Sequence, residues 1–452
     1  MQSIRYLSVC GMLGYGYPID NLTCCENQGF NFIGADNGST DPGPYYLGSG
    51  KGFVKPMQIA RDLEPALVNA RKLNIPLIIG SAGGGGALPH VEAFLKILKE
   101  IAIRRDLHFR LAVISADIDK STVLNALSKN EISPCGPVPM LTQETIEHSV
   151  NIVGQMGTDP FIEALEAGAD VIIAGRSCDT AIFSAYPIWK GFDPGLTLHA
   201  AKIAECGALC AVPAGANDSL SVILNKDNFV VEPTNPARRC TPESVAAHSM
   251  YEQPDPNCFY EPEGKIDMQQ SKFVINGQRG VKVSGTRLVS PEKKTIKLEA
   301  ARLKGYRTIT LAGLRDPYAI LHLKDIEAGV REKVVQNTQG IIDPAKYSLN
   351  FLRYGLDGVT GERELLPQPL PREVGIVIEV IAPTQELADM LLSLARSTAL
   401  HQPFEGRKTT AGNLAFPFSP SDMSCGAVYE FSIYHLMEVE TNRLFHVNIE
   451  EV

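Results

Sequence analysis

Short apolar runs alternate with amphipathic stretches through the first half of the chain. Five runs rich in β-branched residues end in Gly, Ser or Asp, which is typical of buried parallel strands: IRYLSVCGM, FNFIGAD, NIPLIIGSA, FRLAVISAD and ADVIIAGRS. Apolar spacing predicts helices between them in MQIARDLEPALVNARKL, HVEAFLKILKEIAIRR, DKSTVLNALSKN and DPFIEALEAG. This alternation predicts an α/β domain, residues 1–220, with a mostly parallel, Rossmann-like sheet covered by helices on both faces.

The pattern changes beyond residue 220. SLSVILNKDNFVVEP and SKFVINGQRGVKVSGTRLV have the alternation of antiparallel strands, and EVGIVIEVIAP and AVYEFSIYHLMEV flank the helical stretch TQELADMLLSLARSTAL. These features predict a second, α+β domain with antiparallel strands over residues 221–452. Two domains also suit the length, because 452 residues exceed what one hydrophobic core usually serves.

Composition narrows the class of protein. Hydrophobic residues make up 44% and charged residues 21% of the chain, as in ordinary soluble proteins. The net charge of -9 gives no reason to expect nucleic acid or an anionic membrane as a partner. We expect a cytoplasmic protein, since the first residues do not resemble a signal peptide and no apolar run is long enough to cross a membrane. The ten cysteines are too sparse for a disulfide scaffold and are predicted to be thiols.

Polar residues stand where several predicted strands end. They follow FNFI, IPLII, LAVIS and VIIAG. In open parallel sheets, ligands bind in the crevice outside the carboxyl ends of the strands. The sequence therefore predicts one shared cleft lined by these segments.

The segment GADNGSTDPGP carries the first candidate group. Asp36 and Asp41 could bind a divalent cation such as Mg²⁺ or divide the roles of acid and base. Ser39 and Thr40 could donate hydrogen bonds to a substrate oxygen. The alternative is an ordinary turn, because Asp and Asn beside Gly or Pro satisfy their own backbone.

The segment SAGGGGALPHVEAF joins a strand to a helix through four glycines. Free N–H groups at a helix start favour an anion, so Ser81, Gly83, Gly84, Gly85 and Gly86 are candidates for binding a phosphate or carboxylate. The alternative is a tight turn with close packing of helix on sheet. His90 lies in the first helical turn, where the dipole favours a neutral imidazole that could act as acid or base; a surface histidine is the alternative.

The segment AGRSCDTAIF combines a cation, a hydroxyl, a thiol and a carboxylate. Arg176 is a candidate partner for a substrate carboxylate or phosphate, with Ser177 and Asp179 beside it. Asp179 could instead pair with Arg176 and cap the following helix. Cys178 could act as a nucleophile only beside a suitable base.

Six blocks together resemble a known family. GADNGSTDPGPYYLGSG, GSAGGGGALPHVEAF, AGRSCDTAIF, GLTLHAAKIAECGA, SVAAHSMYE and TAGNLAFPFSPSD, in this order, are similar to the acyclic terpene utilisation protein A (AtuA) family, formerly a domain of unknown function. The likeness implies an enzyme of carboxylic-acid or acyl-coenzyme-A catabolism. It also implies a small companion subunit, because many members are encoded with or fused to one.

These observations lead to a functional prediction. We see no motif for nicotinamide, flavin or pyridoxal phosphate, and this favours chemistry that needs only acid, base and anion binding. We expect a lyase, specifically a hydro-lyase acting on a small hydroxy or unsaturated carboxylate or its coenzyme A ester. The alternatives are a hydrolase or C–C lyase using the same cleft, and a non-catalytic metabolite-binding subunit of a complex. We also expect a homo-oligomer.

Overall fold

A computed structural model describes residues 2–24, 28–215, 217–364, 369–439 and 444–452. It divides into two compact units, Met1–Arg302 with Phe431–Val452, and Leu303–Glu430. The boundary expected near residue 220 does not coincide with this division, because the strand Leu220–Leu224 pairs with the first strand of the chain, Ile4–Ser8. The eight cysteines with described side chains are free thiols, and the side chains of Cys24 and Cys25 lie outside the described set.

The strands are short except for two that run from one unit into the other. They are β1 (Ile4–Ser8), β2 (Phe32–Asp36), β3 (Leu77–Gly80), β4 (Arg110–Ile114), β5 (Ile132–Pro134), β6 (Val150–Gln155), β7 (Val171–Ala174), β8 (Ala211–Val212), β9 (Leu220–Leu224), β10 (Asn228–Pro233), β11 (Arg239–Cys240), β12 (Cys258–Glu261), β13 (Gly264–Asp267), β14 (Lys272–Asn276), β15 (Gly280–Ser284), β16 (Arg287–Val289), β17 (Thr295–Leu314), β18 (Ser348–Tyr354), β19 (Val374–Ala382), β20 (Asp422–Glu438) and β21 (Val447–Glu451).

Helices follow each of the strands β2 to β7 in the first unit. They are α1 (Pro44–Ser49), α2 (Pro56–Leu73), α3 (Leu88–Arg105), α4 (Lys120–Ser128), α5 (Gln143–His148), α6 (Asp159–Glu166), α7 (Asp179–Trp189), α8 (Pro194–Glu205) and α9 (Pro242–Ser249) in the first unit, and α10 (Pro317–Leu321), α11 (Leu323–Asn337) and α12 (Gln385–His401) in the second. Among the described residues, none of these helices has the length and apolar character needed to cross a membrane.

A mixed ten-stranded sheet forms the frame of the first unit. Its order is β14-β15-β10-β9-β1-β2-β3-β7-β4-β21. The five strands predicted from apolar runs, β1, β2, β3, β7 and β4, lie next to one another and are parallel. The strands on either side continue the sheet in antiparallel fashion, beginning with β9 and β21. The protein is therefore a mixed α/β protein.

The sequence of β2 and β3 directs α7 onto one face of this sheet. A Cβ atom at Gly34 would lie 2.6 Å from the ring of Phe183, and one at Gly80 would lie 2.4 Å from Oγ of Ser177. Side chains alternate between the faces of a strand, and Asp36 is in register with Gly80. Asp36 therefore lies on the face that α7 covers, where the two glycines allow the side chains of α7 to approach the sheet closely.

The opposite face of the sheet carries the main apolar core. Inward-facing residues of the parallel strands, among them Leu7, Ile33, Ile79 and Ile173, pack there against α2 and α3, which contributes Phe94. Burial of this many aliphatic side chains is the principal source of stability for a sheet of this kind. The glycines of β2 and β3 thus admit α7 to one face of the sheet, while aliphatic side chains fill the other face.

The second unit is smaller and has the α+β character predicted for the second half. Within it β18, β19 and β17 pair in antiparallel fashion. Buried residues of α11 and α12 cover one face of this sheet, including Val330 and Leu391, which pack with Ile376 and Ile378. The candidate chemistry lies in the first unit.

Candidate functional site

Three loops that follow parallel strands meet as the topology predicts. The backbone N–H of Gly83 donates to Oδ1 of Asn37 over 2.6 Å. The backbone N–H of Arg176 donates to the carbonyl oxygen of Gly86 over 3.1 Å. Segments distant in sequence therefore share the carboxyl edge of β2, β3 and β7.

The tetraglycine loop is packed inside this junction. A Cβ at Gly86 would lie 2.2 Å from the backbone nitrogen of Arg176, and one at Gly83 would lie 2.4 Å from the carbonyl oxygen of His90. Both glycines have positive φ angles, 67° and 75°, which other residues rarely adopt. Gly84 and Gly85 are also buried. The loop thus forms the tight, closely packed turn considered above as the alternative to an anion site.

Asp36 is the buried carboxyl group of the first loop. Only 5% of its surface is exposed, and its Oδ1 has no hydrogen-bond partner among the described residues. Its Oδ2 accepts a hydrogen bond from the N–H of Gly38 over 3.3 Å. Burial raises the pKa of Asp36 well above its usual range, and the nearby carboxylate of Asp179 adds to this effect.

The other candidates of the first loop separate from one another. Asp41 is exposed, and its N–H donates to Oγ of Ser39 over 3.0 Å, as in an ordinary turn. Thr40 is buried, and its Oγ1 donates to Glu299 over 3.3 Å. Asp41 is therefore not part of the buried group with Asp36, and the described residues contain no set of three or more His, Cys, Asp or Glu suited to hold a metal ion.

Arg176 has its carboxylate partner inside the protein. Its Nε donates to Oε2 of Glu299 over 2.7 Å, and its Nη1 lies 3.4 Å from Oγ of Ser81. The side chain is 7% exposed and that of Glu299 is 1% exposed. The fork of this guanidinium is thus occupied by Glu299, which sequence reasoning did not identify.

Glu299 is held in the ionised state. Lys297 places its Nζ 3.1 Å from Oε1 of Glu299, opposite the contact with Arg176. Although burial alone would raise it, the charges of Arg176 and Lys297 lower the pKa of Glu299 to about 2. Glu299 in turn keeps the pKa of both cations above their usual range against the effect of burial. The trio carries one net positive charge.

Asp179 and Ser177 stand at the start of α7. Asp179 is the first helical residue and Cys178 occupies the capping position, so Asp179 does not have the alternative role of helix cap. Burial raises the pKa of Asp179, while Arg176 opposes the shift. Oδ1 of Asp179 and Oγ of the fully buried Ser177 have no hydrogen-bond partner among the described residues. A buried polar atom without a hydrogen-bond partner lowers stability unless a ligand or a water molecule supplies that partner.

A second group of ionisable residues adjoins Asp179. Lys202 and Glu205 form an ion pair on α8 and are each 4% exposed. Burial raises the pKa of Glu205 to about 8, Lys202 opposes the shift, and Asp179 reinforces it. Glu261, at the end of β12, is raised by burial to a pKa of about 7. The signal in the sequence was a lysine and a glutamate within the otherwise apolar helix PGLTLHAAKIAE.

The two remaining candidates, Cys178 and His90, are both buried. Cys178 is 7% exposed, and burial, reinforced by Glu261, raises the pKa of its thiol well above the usual value, so the nucleophilic thiolate is disfavoured. His90 is fully buried rather than on the surface, and its Nε2 lies 3.0 Å from the carbonyl oxygen of Tyr46. Burial lowers the pKa of His90, which favours the neutral ring.

The site shifts the pKa values of its carboxyl groups in opposite directions. Burial raises the pKa of Asp36, Asp179, Glu205 and Glu261, whereas the neighbouring cations lower the pKa of Glu299 to about 2. Arg176, Lys202 and Lys297 remain cationic beside these carboxyls in a largely buried site. Pairs of carboxyls with diverging pKa values are a mark of acid–base centres, and a positive centre favours an anionic ligand.

Fold and site thus define a mixed α/β protein with a buried cluster of acidic and basic side chains at the carboxyl edge of parallel strands. The chain belongs to the family described as acyclic terpene utilisation family protein AtuA, which it matches over residues 48–217 and 223–415. No curated protein and no solved structure matches it. The resemblance stated from the six sequence blocks is confirmed.

Proposed function

We propose that the protein is a lyase, specifically a hydro-lyase that acts on a small hydroxy or unsaturated carboxylate or its coenzyme A ester. The observation that carries the proposal is the pair Asp36 and Asp179, two electrostatically coupled carboxyls beside Arg176. Elimination next to a carboxylate needs a base for the proton on carbon and an acid for the departing hydroxyl. Two neighbouring carboxyls provide both when one is ionised and the other protonated.

The coupling between these carboxyls supports that division. Close carboxyls ionise in two separate steps, because the first negative charge opposes the second. The charge of Asp179 raises the pKa of Asp36, and Arg176 lowers the pKa of both and so favours the first ionisation. Over the interval between the steps the pair holds one proton. The ionised member takes the substrate proton, and the protonated member gives its proton to the leaving hydroxyl.

Other residues bind and orient the substrate in this proposal. The hydroxyl of Ser177 is buried without a partner and can donate to a substrate oxygen. Lys297 and Lys202 supply positive charge, while Glu299 keeps the guanidinium of Arg176 in place. The five parallel strands with intervening helices also support a Rossmann-like placement of the ligand beyond their carboxyl ends.

The proposal extends to partners and location. The positive centre suits a small anionic metabolite or an acyl-coenzyme A, and family membership supports a small companion subunit. We further propose a homo-oligomer acting in the cytoplasm. Size-exclusion chromatography with light scattering, with and without the companion protein, measures both kinds of assembly.

The test is turnover by wild type and three matched variants. Hydroxy and unsaturated carboxylates and their coenzyme A esters are supplied singly, with and without the companion protein, and hydration or dehydration is followed by mass spectrometry. Asp36→Asn and Asp179→Asn should lose turnover while ligand binding, measured by calorimetry, persists. The control is Asp41→Asn, which changes an exposed carboxyl of the same loop and should behave as wild type.

Other outcomes assign the site differently. Release of a free acid from a thioester, or of two carbon fragments, would replace the hydro-lyase with a hydrolase or a C–C lyase using the same residues. Binding without turnover of any tested compound, even with the companion protein, would identify a non-catalytic metabolite-binding subunit. Equal activity of Asp36→Asn and wild type would remove Asp36 from the mechanism.

A further inference from the structure

Glu261 reaches the site on an element outside the ten-stranded sheet. It is the last residue of β12 and pairs with Gly264, the first residue of β13, so a two-residue turn follows it directly. We call the segment Cys258–Asp267 the β12–β13 hairpin. Whether Glu261 serves the site depends on how firmly this hairpin is held.

The turn of the β12–β13 hairpin is fixed to the start of α6. Oε1 of Glu263 accepts a hydrogen bond from the backbone N–H of Thr158 over 2.6 Å and from its Oγ1 over 2.7 Å. A Cβ at Gly157 would lie 2.5 Å from the same oxygen, so the glycine makes room for the contact. Charge-assisted hydrogen bonds to a helix start are among the stronger ones in proteins.

The body of the hairpin is fixed to α8. Leu198 of α8 packs with Phe259, Ile266 and Met268 in a small buried cluster. A Cβ at Gly195 would lie 2.5 Å from the backbone nitrogen of Leu288, the neighbour of this cluster in β16. The hairpin therefore rests on the side of α8 that carries positions 195 and 198.

The same side of α8 carries the buried ion pair. Positions 195, 198, 202 and 205 follow the three- and four-residue spacing of one helical stripe. Lys202 and Glu205 thus extend the stripe on which the hairpin rests. The charge of Lys202 lowers the pKa of Glu261, and the charge of Glu261 raises the pKa of Glu205.

We propose that Glu261 is a further acid–base group of this site, which exchanges protons between solvent and the buried Lys202–Glu205 pair. The residue Glu261 is partly exposed although its carboxyl group is buried, whereas Lys202 and Glu205 are each 4% exposed. A proton passes from the carboxyl of Glu261 to the carboxylate of Glu205, and Glu261 then takes a proton from water or buffer. Its part in turnover rests on the proposed function; its part in protonation does not.

The groups around Glu261 place its titration in the neutral range. Glu263 of the hairpin turn raises its pKa in addition to burial, whereas Cys178 and Thr180 of α7 and Lys202 of α8 lower it. The balance is a pKa of about 7 for Glu261, next to about 8 for Glu205. Groups with similar proton affinity near the working pH exchange protons most readily.

Infrared spectroscopy tests the protonation directly and needs no substrate. Wild type, Glu261→Gln and Glu166→Gln are titrated across neutral pH, and the absorption of protonated carboxyl groups is followed. Glu166 is an exposed residue of α6 and serves as the matched control. Glu261→Gln should remove one titrating carboxyl and move the titration of the remaining buried carboxyls, whereas Glu166→Gln should leave both unchanged.

The result that overturns the proposal is equally direct. If Glu261→Gln shows the same neutral-range titration as wild type, Glu261 neither titrates there nor controls its neighbours. Should Glu261→Gln fail to fold, wild type carrying ¹³C-labelled glutamate is titrated by NMR instead. Absence of glutamate carboxyls with midpoints in the neutral range would then reject the proposal.

Once a substrate is known, steady-state kinetics provide a second test of the role of Glu261. Glu261→Gln should slow turnover by about 100-fold, as for loss of a general acid or base, with KM little changed. Small carboxylic-acid buffers should restore part of the rate in proportion to their concentration, which a purely structural role would not allow. A slow variant that no buffer restores would reject the exchange of protons, even while wild-type turnover supports the proposed function.

Discussion

Nε of Arg176 lies 2.7 Å from Oε2 of Glu299, and this contact joins two parts of the chain that are 123 positions apart in sequence. Arg176 follows β7, whereas Glu299 belongs to the beginning of β17. Each is almost fully buried, so neither has solvent to replace its partner. The ion pair fixes the orientation of the guanidinium beside Asp36 and Asp179.

Replacing Glu299 by Gln should destabilise the protein by about 3 to 5 kcal/mol, because it leaves Arg176 and Lys297 without their anion in a buried site. Urea denaturation at neutral pH measures the change. Glu292→Gln, which alters an exposed glutamate close by in sequence, is the control and should change stability by less than about 0.5 kcal/mol. Equal midpoints for the two variants would show that the trio does not stabilise the fold.

The pKa of Glu299 also predicts sensitivity to acid. Its folded value of about 2 is below the ordinary glutamate value, so its contribution to stability is present above pH 4.5 and is lost as pH falls towards 2. Wild type should therefore lose more stability than Glu299→Gln between about pH 5 and pH 3. Parallel pH profiles for the two proteins would contradict the assignment.

Asparagine at position 36 should leave the fold intact. Asp36 is held in its neutral form by burial and by Asp179, and the amide of asparagine has nearly the same shape as a neutral carboxyl. We expect a change in the free energy of unfolding of less than about 1 kcal/mol, since no buried charge is left unpaired. Thermal unfolding of Asp36→Asn beside the exposed variant Asp41→Asn measures it. A loss of several kcal/mol would mean that Asp36 is ionised in the folded protein.

The parallel part of the fold could be predicted because its signals are local. Five β-branched runs became the five parallel strands, and the polar residues at their ends meet at one edge. Such runs report burial on both faces, which each strand experiences independently of its distant partners. The continuation of the sheet by β9 required knowledge of its pairing with β1, which no local pattern contains.

Of the candidate site, only the residues at the ends of strands could be predicted from the sequence. Asp36, Ser177 and Asp179 were found because they follow strands, whereas Glu299 lies within a strand and Glu261 on a separate hairpin. A glutamate in β17 gives no local sign that it will meet a guanidinium from β7. The opposite error occurred at Asp41, where a polar turn residue was given a role although it is exposed.

Gly80 controls how closely α7 approaches the sheet. A Cβ there would lie 2.4 Å from Oγ of Ser177 and 2.6 Å from the side chain of Ile182, so Gly80→Ala must push α7 outward. We expect a loss of about 1 to 3 kcal/mol in the free energy of unfolding, as for overpacking in other cores. Gly313→Ala is the control, because the nearest atom to its Cβ is 3.9 Å away. Similar losses for both variants would rule out the close approach of α7.

Cys178 should resist thiol reagents in the folded protein. It is 7% exposed and burial keeps its thiol protonated, whereas Cys425 is exposed. Labelling with iodoacetamide at neutral pH, followed by peptide mass spectrometry, should modify Cys425 at least about 10-fold faster than Cys178, because the thiolate is the reactive form. Preferential labelling of Cys178 would restore it as a candidate nucleophile. Cys178→Ser should then also abolish turnover, whereas we expect it to be retained.

Glu205 should make the protein less stable as the solution becomes more alkaline. Burial raises its folded pKa to about 8 from the ordinary value of 4.5, so the folded state holds a proton that the unfolded state releases. The contribution is present below pH 4.5 and is lost as pH rises towards 8. We expect urea denaturation of wild type to show a fall on the order of 4 kcal/mol across this interval that Glu205→Gln lacks.

The slope of stability against pH, rather than its absolute value, is the informative quantity in this comparison. Glu205→Gln also removes the partner of the buried Lys202, which lowers stability at every pH at which the lysine is charged. That loss lowers the stability of Glu205→Gln by a similar amount throughout the interval, and so adds no slope of its own against pH. Glu100→Gln, at an exposed position of α3, should retain the wild-type slope. If Glu205→Gln also retains it, Glu205 is ionised throughout this interval, and burial does not raise its pKa to about 8.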